Sequence, residues 1–101
     1  MKITKSKTIL DGRFIIGDKE VKKIELREYE LDDVKEYQNN NHKRYSIMIY
    51  LETINDNIEM DYLGNPTKEL NAFDEISSFL INYNGLSSTI NRILIEMDRR
   101  I

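Results

Sequence analysis

The sequence predicts an α+β domain, in which an antiparallel β-meander of four or five strands precedes two C-terminal α-helices packed on one face. Up to residue 64, apolar residues cluster or alternate between turn signals, and beyond it they recur at three- and four-residue spacing. Strands that precede helices, instead of alternating with them, are typical of α+β domains. The length of 101 residues suits one domain, so we expect a single domain over 1–101. Within it, 1–64 is strand-rich and 65–101 is helical.

Two dipeptides divide the N-terminal part of the chain into segments. Asp11-Gly12 separates 7–10 from 13–16, and Asp-Gly favours a two-residue hairpin turn because both turn positions need a positive φ. The sequence therefore predicts a short hairpin centred on this pair. Gly17-Asp18 predicts the next turn, which leads into a longer strand over 19–31 that is rich in β-forming residues.

The clearest predicted element is a hairpin over 45–63. With Asn55-Asp56 as its two-residue turn, Leu51 faces Met60 on a side that is apolar throughout. An apolar face of this kind specifies the register, because a slip of one residue would turn every side chain toward the other face.

A change of period at Gly64-Asn65-Pro66 predicts the end of the sheet and the start of a helix near 66–83, since Pro suits the first helical position. Its buried face comprises Leu70, Phe73, Ile76, Phe79 or Leu80, and Tyr83. Asn84-Gly85 is predicted to end this helix, because Gly is favoured in the left-handed position that follows a helix. The second helix, near 87–100, is capped by Ser87 or Ser88 and buries Ile90, Ile93, Leu94 and Met97.

Composition excludes several classes of protein. There is no Cys, which rules out disulfides, thiolate chemistry and Cys-ligated metal sites. The first residues lead into no apolar signal segment, and no run approaches the roughly 18 apolar residues that a membrane span needs. We therefore expect a soluble, cytoplasmic protein with no membrane association.

No pattern in the sequence points to catalysis. The single His, His42, lies in a segment, 32–43, that is expected to form a helical turn and a polar loop without a nucleophile motif. Glu52, Glu59 and Asp61 share one face of the predicted hairpin, but an open sheet face lacks the preorganisation that Mg²⁺ and Ca²⁺ sites need. We expect a protein that is not an enzyme, with no catalytic, cofactor-binding or metal-binding residues and no cofactor.

Charge is unevenly distributed along the chain. Residues 28–75 carry a net charge of −8, whereas 1–27 carry +4 and 76–101 carry +1. Complementary charges on neighbouring strands of a solvated sheet face would produce this pattern. A patch that binds a basic partner would produce it too. Both interpretations stay open on the sequence alone.

The predicted hairpin register gives the acidic middle of the chain a specific geometry. It places Glu52 opposite Glu59 and Tyr50 opposite Asp61, on the side away from the core. Opposed like charges cost about 0.2–1 kcal/mol unless a cation lies beside them, and the Lys22-Lys23 pair is placed to supply one. The candidate partner-binding residues are this face and its extension into the first helix, namely Glu52, Glu59, Asp61, Tyr50, Met48, Glu69, Asp74 and Glu75.

An acidic chain of this kind favours a protein partner. Direct nucleic-acid binding is disfavoured, because the pI is about 5.2 and the net charge is −3. An acidic face suits the surface on which a basic, nucleic-acid-binding protein holds its ligand. We therefore expect a small acidic interaction protein, and specifically an inhibitor of the anti-CRISPR or immunity type that acts by surface occlusion. Fifteen Ile and ten Asn against one Ala indicate A/T-rich coding DNA, which fits a low-GC bacterium or a phage or mobile element living in one.

Two other functions stay open. The meander and amphipathic helix over 20–83 resemble, in their rhythm, bacterial PH-like domains, which implies scaffolding or docking, although the second C-terminal helix departs from that pattern. The other alternative is a phage assembly factor or chaperone. A homodimer is compatible with that function, because helices on one face leave the other face of a sheet free for a second copy.

Overall fold

The computed structural model describes residues 2–30, 43–62 and 72–99. The strands are β1 (Lys2–Ile16), β2 (Lys19–Glu30), β3 (Lys43–Leu51) and β4 (Ile58–Asp61), and the helices are α1 (Ala72–Ile81) and α2 (Tyr83–Arg99). The strands form one antiparallel sheet in the order β1-β2-β3-β4. The predicted α+β class, with a meander before two C-terminal helices, is confirmed. The predicted loop with His42 and the predicted helix start at Gly64-Asn65-Pro66 lie outside the described residues.

The predicted hairpin at Asp11-Gly12 is wrong, because β1 runs through this pair as one strand at the edge of the sheet. The 15 residues of β1 lie against the 12 of β2, and register shifts accommodate the surplus, one of them between Asp11 and Phe14. Gly12 has a φ of +130°, which other residues rarely adopt. The dipeptide thus forms a bulge instead of a turn, and bulges bend a strand and interrupt its regular pairing surface.

The second predicted turn is confirmed. Ile16 pairs with Lys19 across Gly17-Asp18, and the φ of Gly17 is +64°, in the left-handed region that such a turn requires. From this turn β2 pairs with β1 on one side and with β3 on the other. Its inward side chains, such as Ile24 and Leu26, are therefore completely buried.

The register of the β3–β4 hairpin differs from the predicted one by four residues. Met60 pairs with Ile47 instead of Leu51. The connection is longer than a two-residue turn, because a 3-10 turn at Ile54–Asp56 follows β3 and the Asn57 side-chain oxygen accepts a hydrogen bond from the Leu51 N–H at 2.9 Å. Since the shift is an even number of residues, the side chains of β3 and β4 keep their predicted faces.

The core lies between α1, α2 and the inner face of the sheet, which is the face that the helices cover. Its main residues are Val21, Ile24, Leu26, Ile47, Ile49 and Ile58 from the strands, and Phe73, Ile76, Leu80, Ile93 and Met97 from the helices. Burying an aliphatic side chain of this size stabilises a fold by about 1.5–3 kcal/mol. Two residues that the sequence predicts to be buried on the helical faces are exposed instead, since Tyr83 is 83% exposed and Leu94 is 38% exposed.

The junction between the helices also differs from the prediction. One residue, Asn82, separates α1 from α2, and its side-chain oxygen accepts a hydrogen bond from the Gly85 N–H at 2.8 Å. Asn82 is thus the N-cap of α2 in place of Ser87 or Ser88, and Gly85 lies inside α2 instead of ending α1. A Cβ on the buried Gly85 would lie 1.7 Å from the carbonyl oxygen of Phe79. The missing side chain therefore allows the two helices to approach closely.

We expect Gly85→Ala to lower the free energy of unfolding by at least about 1–3 kcal/mol, because the added methyl group displaces the α1 backbone at Phe79. Urea denaturation followed by circular dichroism measures this change. Ser88→Ala, at an exposed position of the same helix, is the matched control, for which we expect a change within about 0.5 kcal/mol. Equal stability of the Gly85→Ala variant and the wild type would contradict the close approach.

Candidate protein interface

The outer face of the sheet, which points away from α1 and α2, carries polar and aromatic side chains. Alternate residues of a strand share a face, and β2, β3 and β4 each contribute alternate residues to this one. We define the outer face as Lys23, Glu25, Arg27 and Tyr29 of β2, Arg44, Ser46, Met48 and Tyr50 of β3, and Glu59 and Asp61 of β4. Met48 lies at its middle, paired with Glu25 on one side and with Glu59 on the other.

Arg27 binds its neighbours on two strands. Its Nε donates a hydrogen bond to Glu25 Oε1 at 2.9 Å, and its terminal nitrogens donate to the hydroxyl oxygens of Tyr29 at 3.3 Å and Tyr50 at 2.5 Å. Only 18% of the side chain is exposed. Burial by itself lowers the pKa of Arg27, but the hydrogen bonds to Tyr29 and Glu25 outweigh burial and raise the pKa above its ordinary value. The guanidinium is therefore charged and held in one position.

Glu59 reaches back over β3 to the same group of side chains. Its Oε2 accepts hydrogen bonds from the Tyr29 hydroxyl and, at 3.0 Å, from the Ser46 hydroxyl, and it lies 3.7 Å from Nη1 of Arg27. Tyr29 and Ser46 are both buried, so water competes little for these donors. Hydrogen bonds to a charged acceptor are stronger than neutral ones. The carboxylate thus ties β4 to β2 across the intervening strand.

Tyr50 organises the other half of the outer face. Its hydroxyl donates to Glu25 Oε1 at 3.2 Å, and Lys23 Nζ lies 4.6 Å from the centre of its ring. Lys23 Nζ is also 3.4 Å from Glu25 Oε2. Burial raises the pKa of Glu25, but the hydrogen bonds with Arg27 and Lys23 outweigh burial and lower the pKa below its ordinary value of 4.5.

Asp61 and Arg44 form an ion pair at one end of the outer face. Arg44 Nε donates to Asp61 Oδ1 at 2.8 Å, and a terminal nitrogen of the same guanidinium binds that oxygen as well. This hydrogen bonding raises the pKa of Arg44. The cations of the outer face, Lys23, Arg27 and Arg44, thus balance its carboxylates, Glu25, Glu59 and Asp61. Arginines, instead of the expected Lys22-Lys23 pair, compensate the carboxylates of β4.

The structure brings together only part of the predicted partner-binding set. Tyr50, Met48, Glu59 and Asp61 share the outer face, as predicted. The predicted opposition of Glu52 and Glu59 is wrong, because Met48 lies opposite Glu59 and Glu52 is exposed in the connection that follows β3. The four-residue change of register accounts for this difference.

The other predicted neighbours are separated as well. Asp61 lies opposite Ser46 instead of Tyr50. The Asp74-Glu75 pair is in the first turn of α1, on the other side of the sheet from the outer face. Glu69 lies outside the described residues. The predicted acidic residues that the structure describes are therefore divided between two sides of the sheet.

The sequence reasoning missed the residues that organise the outer face, namely Glu25, Arg27, Tyr29, Arg44 and Ser46. One signal exists for part of this set, because Lys23, Glu25 and Arg27 of β2 occupy every second position, as on one face of a strand. The apolar Ile24 and Leu26 alternate with them, and Glu28 then interrupts the alternation. The alternation over 23–27 predicts a polar face on that part of β2.

No protein-family model matches the chain, and comparisons with curated proteins and with solved structures also give no match. Within the described ranges, no helix has the length and apolar character that crossing a membrane requires. In the same ranges, no three acidic or His side chains are grouped so as to hold a metal ion. The resemblance to PH-like domains stays a prediction. Functional inference therefore depends on the geometry of the outer face.

We expect the stability that Glu25 contributes to disappear at acidic pH. A carboxylate whose pKa is lowered by folding stabilises the fold above its unfolded pKa, and this stabilisation is lost as the pH falls through the folded pKa. Glu25→Gln is therefore expected to cost about 1–2 kcal/mol at neutral pH, where the carboxylate is charged. The difference from the wild type is expected to shrink toward zero as the pH falls through the lowered pKa of Glu25. Urea denaturation at a series of pH values measures it.

The matched control for this titration is Glu52→Gln. It makes the same change at an exposed carboxylate that has no ion pair with another described residue, so at neutral pH we expect an effect below about 0.5 kcal/mol. A difference between Glu25→Gln and wild type that stays constant down to acidic pH would contradict the role of the Glu25 charge.

Proposed function

We propose that this protein is a non-enzymatic binding module that docks the outer face of its sheet on a protein partner. The observation that carries the proposal is the hydrogen-bonded pair of Arg27 and Tyr50, beside Met48, on the face that α1 and α2 do not cover. Tyr, Arg and Met are enriched in protein interfaces relative to the rest of protein surfaces. Tyr in particular offers a large contact area for the immobilisation of only two side-chain torsions.

Preorganisation of the outer face supports this function. Arg27 and Tyr50 are hydrogen-bonded to each other and to Glu25 in the free protein, so a partner meets side chains that are already fixed. Immobilising a flexible side chain on binding costs about 0.5–1.5 kcal/mol. A face that is ordered before contact avoids much of this cost, and more of the contact energy remains as affinity.

The charges of the outer face indicate the chemistry of the partner. An arginine lies against one oxygen of each of Glu59 and Asp61 and partly offsets their charge, and Met48 and Tyr50 favour apolar and aromatic contacts at the centre of the face. The chain as a whole has a net charge of −3, which attracts a partner with a basic surface around the contact. We expect this attraction to increase the association rate at low salt and to weaken as salt rises.

Occlusion of a basic, nucleic-acid-binding surface is the specific form of this proposal. In that form the protein is an inhibitor of the anti-CRISPR or immunity type, encoded by a phage or mobile element. Two properties support it, namely the acidic net charge and a sequence without a recognisable catalytic motif. A protein that acts by covering a surface needs only the surface that it presents.

We expect Met48→Lys to abolish capture of the partner while the fold stays intact. A lysine at this position adds a charge to the centre of the outer face, and its place between Glu25 and Glu59 offers that charge two acidic neighbours. Affinity capture from a lysate of the source organism, quantified by mass spectrometry, measures binding. Ile54→Lys is the matched control, because Ile54 is 79% exposed in the β3–β4 connection and lies off the outer face.

A partner that uses the outer face is retained by the wild type and by Ile54→Lys and is lost with Met48→Lys. Retention by all three proteins at equal strength contradicts docking on the outer face. Size-exclusion chromatography with light scattering tests self-association separately. A dimer that Met48→Lys dissociates would make a second copy, instead of another protein, the occupant of the face, and it would replace this proposal.

A further inference from the structure

A groove of about 400 Å³ runs between the β4 edge of the sheet and α2. Its walls are Glu59, Met60 and Asp61 of β4 and Arg92, Ile95, Glu96 and Arg99 of α2. Ile95 is 55% exposed there, although an isoleucine gains by being buried. An exposed isoleucine, set among the charged Arg92, Glu96 and Arg99, and an edge of the sheet therefore lie side by side.

The backbone of β4 directs hydrogen-bonding groups into this groove. The Tyr62 N–H donates to the Tyr45 carbonyl at 2.9 Å, in the register of the β3–β4 ladder. Because bonded and non-bonded pairs alternate in an antiparallel ladder, the backbone groups of Glu59 and Asp61 point away from β3. The Asp61 carbonyl points in this direction, because it accepts a hydrogen bond at 3.0 Å from Nη2 of Arg92 on α2. The N–H and C=O of Glu59 and the N–H of Asp61 thus face the groove.

These outward groups specify an occupant with an extended backbone. Backbone groups along an open sheet edge bind a further strand, which hydrogen-bonds to the edge and places alternate side chains in adjacent pockets. In the part of the chain that the structure describes, no strand pairs with β4 on this side. The β3–β4 ladder also runs without a register shift, so the edge is regular.

The β4 strand of a second copy does not fit this edge. Antiparallel pairing of β4 with the β4 of another copy would place Glu59 opposite Asp61, Glu59 opposite Glu59 or Asp61 opposite Asp61, depending on the register, so that carboxylates face carboxylates. A strand with basic side chains fits instead. The hydrogen bonds within the outer face use Glu59 Oε2 and Asp61 Oδ1, and they leave the other oxygen of each carboxylate to a further donor.

We propose that the β4 edge and the α2 groove bind an extended segment of another protein, in which basic and apolar residues alternate. The segment pairs antiparallel with β4. Its basic side chains lie beside Glu59 and Asp61, which are two residues apart and share a face. The apolar side chains between them lie in the groove against Ile95. This inference goes beyond the docking of the outer face and does not depend on it.

A synthetic peptide of about nine residues with alternating Lys and Ile is the probe for this site. We expect its binding to slow amide hydrogen exchange at Glu59 and Asp61, whose N–H groups become hydrogen-bonded, and to leave exchange in β1 unchanged. A peptide of alternating Glu and Ile, with the same apolar residues, is expected not to bind, since its carboxylates would oppose those of β4.

N-methylated peptides separate backbone pairing from charge attraction. In the antiparallel pair, the Lys residues opposite Glu59 and Asp61 direct their N–H groups toward β4, whereas the Ile residues direct theirs away. Methylation of the Lys backbone nitrogens is therefore expected to abolish binding, and methylation of the Ile nitrogens is expected to be tolerated. Equal binding of the two methylated peptides would overturn strand addition.

Two variants of α2 locate the groove. Ile95→Arg fills it, whereas Leu94→Arg makes the same change at a neighbouring residue that does not line it. By isothermal titration calorimetry, we expect binding at least about tenfold weaker for Ile95→Arg and close to wild type for Leu94→Arg. The inference would be overturned if the Glu59 and Asp61 amides already exchange slowly in the free monomer. It would also be overturned if bound peptide does not slow their exchange. Partner capture with Met48→Lys is a separate measurement, so the two proposals fail independently.

Discussion

The close contact between Gly85 of α2 and the Phe79 backbone of α1 is the interaction on which the packing of this domain depends. It allows α2 to pack closely against the end of α1 across a single residue, Asn82, with Leu80 and Ile93 in the same core. With 10 and 17 residues, the two helices cover the inner face of the sheet. The surfaces on which binding is proposed, the outer face and the β4 edge, are those that this helical cover leaves open.

The face of the sheet that α1 and α2 do not cover needs polar side chains that stay ordered. β2, β3 and β4 meet this need with long polar side chains that lie across one another, with Arg27 between Tyr29 and Tyr50. Isolated ion pairs on a surface contribute little, about 0–1 kcal/mol, because water screens them and two side chains lose freedom. A partly buried network in which one cation binds several acceptors loses less freedom for each bond, and its members strengthen one another. The contacts that stabilise the sheet therefore also hold the proposed binding face in place, which is why Met48, outside these hydrogen bonds, is the residue chosen to test docking.

The sequence predicts which face of the sheet a side chain lies on more readily than it predicts which residue lies opposite on the next strand, and the reason is physical. The period of two along a strand is a local property, so Ile47 and Leu51 were placed on the correct face although the predicted pairing was four residues out of register. Pairing across strands depends on the length of the connections, and the 3-10 turn after β3 has no strong local signal. A glycine does not show from the sequence which of its uses applies. The missing side chain permits a bulge at Gly12, a turn at Gly17 and a close approach of two helices at Gly85. The Tyr29–Glu59 hydrogen bond joins residues 30 apart and depends on two strand registers at once, so no local pattern predicts it.

The two edges of the sheet have opposite properties, and this contrast limits where the sheet can be extended. β1 is long, but its register shifts against β2 and its lysines make it a poor template for another strand. β4 is short and regular, and it carries carboxylates that oppose pairing with a second copy. Glu59 belongs to both proposed surfaces, because its Oε2 binds Tyr29 and Ser46 while its backbone groups face the groove. A strand added at β4 uses the backbone of Glu59 and leaves its Oε2 contacts intact. The order of the outer face therefore survives occupation of the edge, and one molecule can present both surfaces at once.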